Sequence, residues 1–342
     1  MSSLDALYRY VTHHQIVIDT KFRTQSLNDD EKRKCVCPIP TMDDLATLII
    51  EQKGLVHSYQ NGEITFTLQD AEFYTDREDE QATHLALLVN IVDKNGSATV
   101  IRNVNTQERK EIELKHQAGE GYEVSSHILI SLSGRQRSYD MVYMPIPKIS
   151  TNRMNGFLNR ILFEISRKHE DKFTCNTNTN IVSPNTGKPL KVLYKAIFNI
   201  NGKLDQELFN KINKEGLADV TFIRNEYKTI NAPDVNQAII PRESSLRIMP
   251  NHGSNDVIGW IRKVSKFFKS DSNGGYELIK IKFKEPESDG LRTVEMQTSN
   301  IQLDALERTF IKKSKLEGFS SRLIDSYDIM HDESVFKMMD II

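Results

Sequence analysis

What this 342-residue chain lacks narrows its chemistry. It has three cysteines, Cys35, Cys37 and Cys175, with no CxxC pair and no cysteine–histidine cluster to complete a zinc site. So few thiols predict free cysteines in a reduced, cytoplasmic compartment. No apolar run approaches the roughly 20 residues that span a bilayer. The N-terminus has no apolar core of signal-peptide length. The expectation is a protein that is neither exported nor inserted in a membrane. Walker and dinucleotide fingerprints are absent too. Gly119-Glu120-Gly121 precedes a strand rather than a helix N-terminus, so the anion-cradling geometry of a phosphate loop is missing. No cofactor is expected. His13, His14 and His84 have no ligand partners at useful spacing. His127 alternates with Ile128 and Ile130 and reads as a half-buried core histidine without a catalytic partner.

What is present is organised around residues 119–163. Val124 to Leu132 reads as a strand, Gly134 to Arg137 as a turn, and Tyr139 to Met144 as the returning strand. Pro145-Ile146-Pro147 stops it, because proline has no N–H for a ladder. Ser150 or Thr151 can cap the helix that follows, whose apolar positions Met154, Phe157, Leu158, Ile161, Leu162 and Ile165 keep the helical period.

Upstream, Ser3 is expected to cap a short helix through Val11, and Gln15 to Phe22 reads as a strand. Thr41 caps a helix with Asp43 and Asp44 in its first turn. Ile64 to Leu68 and His84 to Val92 read as strands, and Asp93-Lys94-Asn95-Gly96 as a hairpin turn returning into Ala98 to Arg102. Arg109 to Leu114 is the next strand of this meander. Residues 172–187, rich in Thr, Asn and Pro, read as a linker. Downstream come a strand at 190–200, a helix at 204–212, a strand at 218–224 and a helix from Asp256. A hairpin at 276–296, a helix at 303–316 and an acidic amphipathic helix over 321–342 complete the chain.

The fold class predicted is therefore α+β in two parts. An antiparallel β-meander domain with flanking helices covers 1–171, a linker 172–189, and a smaller basic α/β domain with an acidic C-terminal helix 190–342.

The net charge of −2 hides an uneven distribution. Residues 70–80 are acidic, whereas 262–284 hold Arg262, Lys263, Lys266, Lys269, Lys280, Lys282 and Lys284 against Asp271 and Glu277. Lys280, Lys282 and Lys284 share one strand face by period two. Three lysines in register repel one another unless an anion sits there. Lys312 and Lys313 add charge further on. Phosphate backbones suit such a set, since neutralising them releases counterions without base contacts. A competing set, Asp93 with Glu113 and Lys115, has the letters of a metal-dependent nuclease. However, Asp93 has a sufficient turn role and Glu113 can be the wet face of a strand whose dry face is Ile112 and Leu114. A third reading is an adaptor that docks a partner through the acidic tail.

Three places in this order resemble the phage lambda exclusion protein RexA and related phage-defence proteins. They are Ser126 to Pro147 leading into Phe157-Leu158, then Leu217 to Arg224, and then the hairpin from Glu277 to Met296 with a helix after it. The resemblance implies a homodimer of two-domain subunits that binds duplex DNA with little sequence preference. It also implies a role in prophage-linked or bacterial immunity, with a second defence protein as a candidate partner, and no direct membrane insertion.

Overall fold

The computed structural model describes residues 4–23, 37–76, 81–96, 99–115, 118–135, 137–147, 149–176, 187, 191–203, 205, 219–225, 243–249, 257–284, 291–298 and 311–342. The expected helix at 204–212, the loop at 25–34 and most of the expected helix at 303–316 lie outside the described residues. The chain is α+β. It divides into unit 1, Met1–Asn201 with Lys313–Ile342, and unit 2, Gly202–Lys312.

Unit 1 is built on one antiparallel-rich sheet. Its strands are β1 (Arg9–Phe22), β2 (Val56–Tyr59), β3 (Ile64–Tyr74), β4 (His84–Asp93), β7 (Tyr122–Arg135), β8 (Ser138–Tyr143), β9 (Thr174–Asn176), β10 (Lys191–Gly202) and β15 (Lys313–Leu316). They lie in the order β2-β3-β4-β7-β8-β1-β10-β9, with β15 paired to β1. β5 (Thr99–Arg102) and β6 (Arg109–Ile112) form a separate two-stranded hairpin.

The sheet is buried on both faces, which explains the nearly unbroken apolar runs of β4 and β7. One face takes α1 (Met42–Ile50) and α2 (Thr151–Lys168), whose Leu45, Ile49, Phe157, Ile161 and Ile165 pack on Leu85, Leu87, Val89, Ile128 and Ile130. Thr41 caps α1 reciprocally with Asp44, as its sequence predicts. The helix side of Asn159 anchors α2 to β10: its amide donates to the Phe198 carbonyl at 2.9 Å and accepts from the Phe198 N–H at 2.8 Å.

The opposite face is covered by the C-terminal segment. Met330, Val335 and Met338 are buried on Leu88, Leu129, Val142 and Met144. Burying such side chains contributes about 1.5–3 kcal/mol each. Backbone bonds fasten the segment along its length. Ser125 N–H donates to Asp325 O at 2.9 Å, Leu323 N–H to Ala6 O at 2.9 Å, and Met330 N–H to the Asp70 carboxylate at 3.1 Å. His331 N–H donates to His127 Nε2 at 3.3 Å. His127 is fully enclosed, and burial, with His331 and Arg9 adding repulsion, pushes its pKa down to about 3.

Several expectations are corrected. Residues 4–11 give no helix; β1 starts at Arg9 and Val11 is buried between β8 and β15. The tail is helical only in α4 (Asp332–Met339, the last helix), because residues 317–331 follow the sheet and satisfy their backbone groups on it. Lys313–Leu316 is strand, not helix, and Leu316 is core. Both the C-terminal segment and β10 thus sit in unit 1 rather than in a domain over 190–342. The Asp93–Gly96 turn forms, but β4 pairs with β7, while β5 pairs with β6. Gly96 shows why. A Cβ there would lie 2.3 Å from the Tyr122 ring, so this bare turn seats the first residue of β7.

Candidate nucleic-acid interface

Unit 2 contains a four-stranded antiparallel sheet in the order β12-β11-β13-β14, from β11 (Asp219–Asn225), β12 (Glu243–Ile248), β13 (Leu278–Lys284) and β14 (Leu291–Gln297). Alternation decides its two faces. Val220, Phe222, Ile279 and Ile281 turn one way and are fully buried beneath the helix α3 (Val257–Lys269), which contributes Ile261, Trp260, Val264 and Phe268. The Phe222 and Phe268 rings pack at a tilt of 44°, 4.9 Å between centroids. Arg224 closes the end of this core, donating to Gly274 O at 2.7 Å with its guanidinium 5.7 Å from the Tyr276 ring.

The expected cations separate around this frame. Lys263, Lys266 and Lys269 lie on the solvent side of α3 and are exposed, with Phe267 also 55% exposed among them. None of the three forms an ion pair with a described residue. Lys280 and Lys282 alternate with Ile279 and Ile281 and therefore occupy the sheet face away from α3. The repulsion expected in that row is answered in part within the chain. Asp219 stands opposite Lys282, a cross-strand pair of opposite charge that is mildly stabilising, and Glu295 occupies the register position opposite Lys280. Asp219, only 3% exposed, also takes Arg247 Nε at 2.9 Å. Lys282 thus needs no ligand to be tolerated, whereas Lys263, Lys266 and Lys269 have no carboxylate partner among the described residues.

The other cations fall elsewhere. The side chains of Arg262 and Lys284 lie outside the described residues. Lys312 ends unit 2, its N–H donating to Lys203 O at 2.8 Å. Lys313 opens β15 opposite Thr12 in unit 1. Of the nine cations singled out in the sequence, Lys263, Lys266 and Lys269 share the solvent side of α3, and Lys280 and Lys282 share the opposite face of the sheet.

The nuclease set differs from its expected layout. Asp93 accepts the Asn95 N–H at 2.9 Å, the turn role expected of it. The strand expected to carry Glu113 stops at Ile112, all of β6 is exposed, and Ile112 faces solvent rather than a dry side. Among the described residues, no group of three or more His, Cys, Asp or Glu side chains could hold a metal ion. No helix among them is long and apolar enough to cross a membrane.

A second concentration of cations, in unit 1, escaped the sequence reading. Arg160 and Arg167 of α2, Arg23 after β1, and Lys195 of β10 all approach the Phe163 ring, within 5.1–6.0 Å of its centroid. The available signal was the seven-residue spacing of Arg153, Arg160 and Arg167, which places them along one helix stripe. Lys195 and Arg23 come from distant chain and gave no signal.

Comparison of this chain with protein-family models, with curated proteins and with solved structures finds no match to any of them.

Proposed function

We propose that this chain binds duplex DNA with little sequence preference, through phosphate contacts from the solvent side of α3. The observation that carries the reading is the row Lys263, Lys266 and Lys269, exposed and without a carboxylate partner among the described residues. Three cations over six residues of helix follow about 9 Å of axis, a length that reaches more than one backbone phosphate. Exposed Phe267 supplies an apolar contact beside them. Lys280 and Lys282 rank second, because Glu295 and Asp219 share their rows.

The biological setting rests on the resemblance to RexA: anti-phage defence in a bacterial or prophage context, in the cytoplasm, as a homodimer, with a second defence protein as partner. The adaptor reading has less of the tail to use, because Met330, Val335 and Met338 are buried within unit 1, while Ile324, Ile329 and Phe336 stay exposed.

The test is a mobility-shift assay on random duplex DNA at two salt concentrations, with and without Mg²⁺. Salt-sensitive retention of uncut DNA, weakened in the triple variant Lys263→Gln, Lys266→Gln, Lys269→Gln, supports the reading. Unshifted DNA at low salt refutes it. Metal-dependent cutting that is lost in Glu113→Ala would establish the nuclease instead.

A further inference from the structure

Four cations gather around the Phe163 ring in unit 1. The backbone arrangement comes first. Asn159 holds α2 against the edge of β10 through both polar backbone groups of Phe198. One helical turn further on, Phe163 stands beside Lys195 of that strand, its ring centroid 5.1 Å from Nζ. Arg23 is fixed in the same place, its guanidinium donating to the Ser166 carbonyl at 2.6 Å and lying 5.6 Å from the ring centroid. Arg160 and Arg167 close the ring at 5.1 and 6.0 Å.

The charges do not balance. Glu164 pairs with Arg160 at 2.5 Å and with Arg167 at 3.4 Å, and Glu170 with Arg23 at 3.2 Å. Among the described residues Lys195 makes no ion pair, and its ammonium lies over the Phe163 face. Its ammonium is held below the usual lysine range, first by burial and then by Lys21, Arg160 and Arg23. His57 is pushed down as well, by burial and then by Arg160. A ring quadrupole offsets only part of such repulsion. A polyvalent anion offsets all of it, and the guanidiniums supply the fork geometry that phosphate oxygens accept.

We propose that this face of unit 1, formed by Lys21, Arg23, Arg160, Arg167 and Lys195 about Phe163, binds a phosphate-bearing polyanion. The ring serves as the platform that holds the cations together, not as a base-stacking surface, because cations occupy its surroundings. The site is independent of α3 and stands whether or not α3 binds DNA. Its ligand chemistry is phosphate, presented either by a nucleic-acid backbone or by a small polyphosphate.

The experiment uses the full chain and inorganic tripolyphosphate, a small polyanion. Calorimetric titration should show binding to the parent. It should also show undiminished binding to the α3 triple variant, and binding weaker by about tenfold to a hundredfold in Lys195→Gln with Arg160→Gln. Nuclear magnetic resonance of ¹³C-methylated lysines gives a second readout, since the bound anion should raise the Lys195 pKa. Competition then separates the sources. Duplex DNA that displaces tripolyphosphate from the α3 triple variant identifies a nucleic-acid backbone, and failure to displace it identifies a small polyphosphate. No binding to the parent, equal binding to the Lys195/Arg160 variant, or loss of binding in the α3 variant alone would each overturn the proposal.

Discussion

Acid should loosen unit 1 by a calculable amount. His127 and His14 are buried, with pKa values pushed down to about 3 and about 4 from the ordinary 6.5. Burial is the main cause for each. His331 and Arg9 add repulsion to His127, and His13 adds it to His14. Among the described residues no carboxylate acts on either ring to offset this; Asp332 and Glu333 act on His331, one step removed. Both rings are neutral in the folded state and protonated in the unfolded state between these limits. Their stabilisation is therefore complete above pH 6.5 and is lost as pH falls towards about 4 for His14 and about 3 for His127. Within that window each histidine costs about 1.4 kcal/mol per pH unit, so the pair removes about 4 kcal/mol between pH 6.5 and 5. That is a large share of the roughly 5–15 kcal/mol that holds a domain folded. Urea unfolding at pH 7, 6 and 5, followed by far-ultraviolet circular dichroism, measures it. Trp260, the only tryptophan, reports unit 2 separately by fluorescence. His127→Gln keeps an acceptor for the His331 N–H and should flatten the pH slope by about 1.4 kcal/mol per unit. A parent whose stability is level from pH 7 to 5, or a variant with the parent's slope, would refute the reasoning.

Three further outcomes follow from the packing. Deleting Ser326 to Ile342 strips Met330, Val335 and Met338 from the sheet, and the product should be insoluble or markedly less heat-stable. A well-folded deletion variant that binds DNA more tightly would instead make the tail a removable brake. Met338→Ala, at a fully buried position, should cost about 2–5 kcal/mol in the same urea assay, and a loss below 1 kcal/mol would count against the packing described. Gly134→Ala would place a Cβ 2.6 Å from Ser138 O and 2.5 Å from the Tyr139 ring, so a loss of about 1–3 kcal/mol is expected, and a neutral result would show that the β7–β8 turn can shift.

The sequence made some elements legible because their causes are local. Thr41 with Asp44 announces α1, the i, i+3, i+4 apolar set from Met154 to Ile165 announces α2, and the β7–β8 and β13–β14 hairpins carry their own turns. Pairings set by tertiary choice were not legible. The Asp93–Gly96 turn directs the chain away from β4, and nothing nearby says that the partner is β7, about 30 residues on. Apolar residues at 317–331 look helical when counted, yet they are spaced to meet a sheet whose second face the sequence does not reveal. The candidate site follows the same division. Lysines on one helix could be read from spacing, but the placement of Lys280 and Lys282 behind the sheet depends on which strand face the helix covers. The cluster at Phe163 draws on β1, α2 and β10 and exists only once they are packed.

The central claim, that α3 meets DNA phosphates through Lys263, Lys266 and Lys269, is tested most directly by the salt dependence of duplex binding. Each lost phosphate contact lowers the slope of log affinity against log salt by about 0.9. The account predicts that the triple glutamine variant binds more weakly at low salt, with a slope shallower by about 1.8–2.7, as two or three contacts are lost. A variant that binds as tightly as the parent with an unchanged slope would contradict it.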